Sequence, residues 1–119
     1  MRKYDLYANV STSSIVQPLP QLGILTHVEE LTRYDMIYVS HKMQNGVELL
    51  LKKDEQRSWD ENALAIYYKG FKLGYVSKKT SEMVRKFLDK GNEIKATVKS
   101  LSKNRFLPTQ EMDIQIYVM

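Results

Sequence analysis

The sequence predicts a mainly β (α+β) fold: a small OB/SH3-like barrel of about six short strands with one helix inserted before the fifth strand. Three observations support this. The 119 residues, 43% of them hydrophobic, suit a single modest core. Short runs of apolar–polar alternation recur between turn residues such as Asn45-Gly46 and Lys69-Gly70. One segment, between Ser77 and Gly91, switches to helical spacing, and a small barrel accommodates that pattern while leaving few strand edges.

The elements follow in order. Residues 1–33 read as an N-terminal extension, a strand or an arm. Ser11–Ser14, Pro18, Pro20 and Gly23 mark irregular backbone there, and Tyr4, Leu6, Val10 and Ile15 are available to one short strand. The barrel domain spans 34–119. Asp35–Lys42 reads as a strand, with Met36, Tyr38 and Ser40 on one face and Ile37 and Val39 on the other. Asn45 and Gly46 both tolerate positive φ, so they turn the chain into an antiparallel return, Glu48–Lys52. Lys53–Ser58 is a polar loop. Ala63–Tyr68 and Phe71–Val76 form a second hairpin around Lys69-Gly70.

Ser77 is a suitable N-cap for the helix that follows. Met83/Phe87 and Val84/Leu88 pair at i, i+4 on its apolar stripe, Glu82, Arg85, Lys86 and Asp89 face water, and Gly91 stops it. Ile94–Ser100 alternates, with Ile94, Ala96 and Val98 inward. Ser102–Gln110 is a polar loop carrying Lys103, Arg105 and Phe106, and Met112–Val118 puts Met112, Ile114, Ile116 and Val118 on one face.

Composition narrows the function. The chain has no cysteine, which excludes disulfides, thiolate metal sites and a cysteine nucleophile. His27 and His41 lie far apart without partners at ligand spacing. The pairs Asp54-Glu55 and Asp60-Glu61 lack the alternate ligands and central glycine of a calcium loop. Glu93-Ile94-Lys95 after an upstream Asp fits a magnesium nuclease only as a three-residue pattern of common residues. The expectation is therefore a non-catalytic binding domain with no cofactor. Met1-Arg2-Lys3 is not followed by a continuous apolar run, so neither a signal peptide nor a membrane span is expected, and the chain reads as cytoplasmic. The net charge of +4 is unevenly spread, with 14 Lys and Arg against 7 Asp and Glu between Lys52 and Arg105. That is either a basic face for a polyanion or a solvated lysine-rich surface.

Chemistry concentrates between Trp59 and Lys79. Trp59-Asp60-Glu61-Asn62-Ala63 closes the polar loop with an aromatic and two residues whose side chains can cap loop backbone. Leu73-Gly74-Tyr75-Val76 then holds a glycine inside a strand, which marks a bulge or a close approach to the backbone. Lys78 and Lys79 open the helix.

Together these residues resemble the HIRAN domain, a module found alone in bacteria and fused to helicase-type remodelling enzymes in eukaryotes. Its pattern runs from a basic loop through aromatic-Asp-x-Asn-Ala, a strand, a short turn and hydrophobic-Gly-aromatic-hydrophobic to basic residues opening a helix. The resemblance covers about residues 36–100 and, more faintly, extends to 118. It implies an OB-like barrel that binds single-stranded DNA, preferring a free 3′ end, with a helicase or nuclease as a further partner. Carried over by position, Tyr38 and Trp59 would be aromatic platforms, and Asp60 would accept a hydrogen bond from the 3′ hydroxyl. Lys78 and Lys79 would contact phosphate, Arg57 would belong to the basic loop at the interface, Tyr75 would line the pocket, and Phe106 would stack near the strand. The chain departs from the pattern in placing Arg57-Ser58 where Asn-Pro is common and Trp59 where Tyr is usual. The competing expectation is an adaptor domain that reads a peptide or protein on the same barrel. Tyr38 also fits a core role, and Lys78-Lys79 fits a solvated helix start.

Overall fold

The computed structural model describes residues 22–102, 109 and 111–119. Six strands make a closed antiparallel barrel: β1 (Leu22–Glu29), β2 (Glu48–Lys53), β3 (Leu64–Tyr68), β4 (Phe71–Val76), β5 (Ile94–Leu101) and β6 (Met112–Val118). They are joined in the order β1-β4-β3-β2-β5-β6. A one-turn helix, α1 (Met36–Val39), lies between two short 3-10 turns, and the main helix, α2 (Lys78–Asp89), precedes β5. The expected mainly β barrel with a helix before its fifth strand is the observed fold.

Alternation determines which side chains fill the barrel. Along β6, Met112, Ile114, Ile116 and Val118 are all buried, and on the adjacent β5 the buried Ala96 and Val98 pair with Ile116 and Ile114. Leu64, Ile66 and Leu73 complete the centre from β3 and β4. Each of these Leu, Ile, Val and Met side chains contributes about 1.5–3 kcal/mol by leaving water. The β3–β4 hairpin turns at Lys69 and Gly70, both at positive φ, as a two-residue turn matched to strand twist requires.

Two expectations near the N-terminus need correction. The boundary at residue 33 cuts through the barrel, because β1 closes it by pairing with β6 from Leu22 to His27 and with β4 at Val28 and Glu29. The segment Asp35–Lys42 is helical rather than extended. Met36, Val39 and Met43 are all buried, and their i, i+3, i+7 spacing is that of a helical stripe. Ile37 and Tyr38 are β-formers, but packing of that stripe overrides their propensity. Asn45-Gly46 consequently does not join two strands. Gly46 keeps its positive φ, and the turn docks on β5 through Gly46 N to Val98 O (2.8 Å) and Val98 N to Val47 O (2.9 Å).

On α2 the inward stripe is Ser81 and Val84, with Leu88 packed against the core, while Met83 is exposed. Arg85, expected in water, is half-buried. Ser77 occupies the N-cap position, but its hydroxyl donates to Thr80 Oγ1 (3.0 Å) and makes no cap bond to backbone. Among the described residues, no helix is long and apolar enough to cross a membrane.

The barrel wall is uneven. Two of its six seams are held by only two residue pairs each: β1–β4 at Val28–Val76 and Glu29–Tyr75, and β2–β5 at Glu48–Thr97 and Leu49–Ala96. A surface depression lies at each of these seams.

Candidate nucleic-acid interface

The depression at the β1–β4 seam is a cleft of about 210 Å3. The end of β1 supplies Glu29 and Glu30, β4 supplies Tyr75 and Val76, and α2 supplies its first residue, Lys78. The opposite side comes from the β2–β3 loop, with Arg57, Trp59 and Asp60.

Gly74 lets β1 reach this place. A β-carbon there would lie 2.4 Å from Glu29 O and 2.9 Å from Val28 Cγ1. The β3–β4 register also slips beside it, with Ile66 opposite Gly74 but Tyr67 opposite Lys72. Both readings of a strand glycine, a bulge and a close approach, therefore hold, and the approaching group is the protein's own β1.

The β2–β3 loop is fixed by its own polar groups. Asp54 N donates to Ala63 O (3.0 Å), Asp60 N to Arg57 O (3.0 Å) and Ala63 N to Asp60 O (3.1 Å). Asp54 Oδ1 and Asp60 Oδ1 each accept from the amide two residues on, Gln56 N (3.0 Å) and Asn62 N (3.1 Å), which is the turn habit of aspartate. From the helix, Arg85 donates to Glu61 O at 2.9 Å. The loop thus presents Trp59 outward, 73% exposed.

Beneath the loop six side chains close a ring. Glu30 pairs with Arg57, whose guanidinium lies 3.6 Å from the Tyr75 ring centroid. Tyr75 donates its hydroxyl to Asp54, Asp54 lies 3.5 Å from Lys72 Nζ, and Lys72 sits 4.5 Å from the Tyr34 ring centroid. Tyr34 then donates to Glu30 Oε1 at 3.1 Å. Burial, followed by the bond to Asp54, pushes the Tyr75 hydroxyl up to about 12. That same bond, ahead of the smaller pull of Lys72, holds the Asp54 carboxyl below its usual range. Near neutral pH the proton therefore stays on Tyr75 and the charge on Asp54. Tyr34 is also shifted upward, by burial first and then by its bond to Glu30.

Of the residues singled out in the sequence, Arg57, Trp59, Asp60, Tyr75 and Lys78 meet at this cleft. Lys79 is exposed on the next position of α2 and does not line it. Tyr38 is 67% exposed on α1 and also lies outside the lining. The tyrosine packed against the cleft from that region is Tyr34, edge-on to Tyr75 with centroids 5.8 Å apart. Phe106 lies outside the described residues. Sequence reasoning missed Glu29, Glu30, Tyr34, Lys72 and Arg85. The adjacent acids Glu29-Glu30 just before Leu31-Thr32-Arg33 were the one available signal.

A sequence profile decides the family: that of the HIRAN domain matches residues 27–119. The chain belongs to the HIRAN domain family. HIRAN domains are DNA-binding modules and are not themselves catalytic. Solved structures agree on the fold. A crystal structure of a protein from Lactobacillus plantarum superimposes with a TM-score of 0.67 at 17% identity, covering 82% of this chain and 95% of that one. The HIRAN domain of human HLTF superimposes with a TM-score of 0.64 at 19% identity, covering 81% of this chain and 74% of that one. No curated protein matches the chain. In this HIRAN domain, no group of three or more His, Asp or Glu side chains among the described residues is placed to share a metal ion.

Proposed function

We propose that this HIRAN domain binds single-stranded DNA and takes a free 3′ end into the cleft at the β1–β4 seam. The observation that carries the reading is the meeting, in one small cleft, of an exposed indole, a carboxylate and a lysine at a helix start.

Each group has a physical task. An exposed indole face stacks any base, at roughly 1–3 kcal/mol per base. Asp60 uses Oδ1 on Asn62 N, while its Oδ2 has no hydrogen-bond partner among the described residues. A terminal 3′ hydroxyl donating to that oxygen would gain about 1.5–3 kcal/mol as a bond to a charged acceptor. An internal nucleotide has no such donor. Once Glu30 and Arg57 are paired, the charges left in the lining are Glu29, Asp60 and Lys78. Two carboxylates against one lysine disfavour a phosphate inside the cleft and favour a hydroxyl.

Phosphates fit better at the rim. The first α2 bond runs from Ser81 N to Ser77 O (2.8 Å), so the amides of Lys78, Lys79 and Thr80 precede the helical ladder, and no side chain caps them. Free amides at a helix start, flanked by two lysines, suit a phosphodiester.

Fluorescence polarisation with a labelled single strand and the matching duplex tests this reading. The single strand should bind more tightly, with affinity falling as salt rises. Equal affinity for duplex would defeat it. An adaptor role has one observation of its own: a groove of about 370 Å3 at the β2–β5 seam, edged by Leu50 and Tyr117. That groove shares no lining residue with the cleft.

A further inference from the structure

Arg57 carries its charge in an unusual setting for a loop arginine beside a nucleic-acid cleft. Its side chain is 13% exposed and ion-paired to Glu30. The guanidinium rests against the Tyr75 ring at 3.6 Å and reaches the Trp59 ring at 5.0 Å. Its anion partner and its aromatic partners are therefore all internal. Glu30 holds its side of the pair from a left-handed backbone, φ 61° and ψ 29°, a conformation rare for residues other than Gly, Asn and Asp. Such an outlier persists where the surroundings over-determine it. Here they do so through Arg57, the hydroxyl of Tyr34 at 3.1 Å and Arg33 at 3.7 Å.

We propose that Arg57 is a positioning residue for base stacking and not a phosphate ligand. Its guanidinium bridges the buried Tyr75 ring and the exposed Trp59 ring, and Glu30 fixes it there, so that the indole is held still with its outer surface free for a base. A planar guanidinium can lie flat against a ring and still turn its in-plane N–H groups to Glu30, whereas an ammonium is a point charge without that flat fork. Arg57 therefore contributes to affinity through Trp59 and leaves the counterion balance unchanged. The inference rests on the reading of Trp59 as a base platform. It gives Arg57 a defined task within the basic loop and leaves the phosphate contacts with Lys78 and the start of α2.

Two measurements test it. Trp59 is the sole tryptophan of the chain, so its anisotropy decay reports on its motion without any DNA. Arg57→Met and Glu30→Gln should each enlarge the fast local component of that decay. In polarisation titrations across a salt series, both should weaken single-strand binding by about tenfold, the order of one desolvated cation–π contact. The slope of log affinity against log salt should stay at the wild-type value. Lys78→Ala should instead lower that slope by about 0.7, the loss of one phosphate contact. Arg57→Lys should behave like Arg57→Met. The proposal is overturned if Arg57→Met flattens the salt slope as Lys78→Ala does, if Arg57→Lys restores binding, or if Glu30→Gln tightens binding with a steeper slope. If the wild type binds no single strand, the proposed function fails, while unchanged Trp59 motion in both variants would sink the positioning role by itself.

Discussion

Residue 74 and Glu29 are so close that only a glycine fits between the strands: a β-carbon at 74 would stand 2.4 Å from the Glu29 carbonyl oxygen. This contact joins β1 to β4 where only two residue pairs hold the seam, and it delivers the acidic end of β1 to the cleft. Gly74→Ala should therefore destabilise the domain by about 1–3 kcal/mol, since backbone and not a flexible side chain must give way. Thermal unfolding should report a fall in Tm of about 4–8 °C per kcal/mol. An unchanged Tm would mean that the seam relaxes freely.

Tyr75 links stability to pH at both extremes. Its folded-state pKa of about 12 lies above the ordinary 10.0, so its contribution is complete below pH 10 and is lost as pH rises towards 12. Asp54 is held below 3.8, so its contribution is present above that value and is lost as pH falls through the lower folded value. Tyr75→Phe should remove the phenol's part of the alkaline loss and reduce the acid loss, leaving the smaller alkaline component of Tyr34. Urea unfolding midpoints of both proteins between pH 3 and pH 12 measure this. Parallel curves for the two would contradict the bond between Tyr75 and Asp54.

Trp59 makes the opposite prediction, with a large effect on binding and a small one on stability. Being 73% exposed, it adds little to the fold, so Trp59→Ala should leave Tm nearly unchanged. Loss of one stacked base, about 1–3 kcal/mol, should weaken single-strand binding by about 5- to 150-fold for oligonucleotides of any base composition. Titrations with homopolymeric oligonucleotides of different bases check that breadth.

Much of the barrel was legible in the sequence because β5 and β6 alternate inward and outward residues and the β3–β4 hairpin turns at Gly70. β1 was not, since Leu25 faces solvent while Thr26 is buried, which inverts the polarity that signals an inward face. The helical turn at Met36–Val39 was hidden differently. A short apolar run supports either period, and its β-forming residues favoured the wrong one. That misreading promoted Tyr38 over Tyr34. The loop half of the cleft, Trp59 and Asp60, was visible as a local motif. Its other half was not, because Glu30 meets Arg57 from 27 positions away, and no spacing rule predicts which acid a barrel brings beneath a given loop.

Chemically capped oligonucleotides test whether Asp60 reads a terminal hydroxyl. Affinity should be measured for one single strand carrying a free 3′ hydroxyl, a 3′ phosphate or a 5′ phosphate, with the wild type and Asp60→Ala. The 3′ phosphate should weaken wild-type binding by about tenfold or more, as loss of a charged hydrogen bond requires. The 5′ phosphate should have little effect, and Asp60→Ala should no longer distinguish the ends. Equal wild-type affinity for the 3′-capped and 5′-capped strands would contradict it.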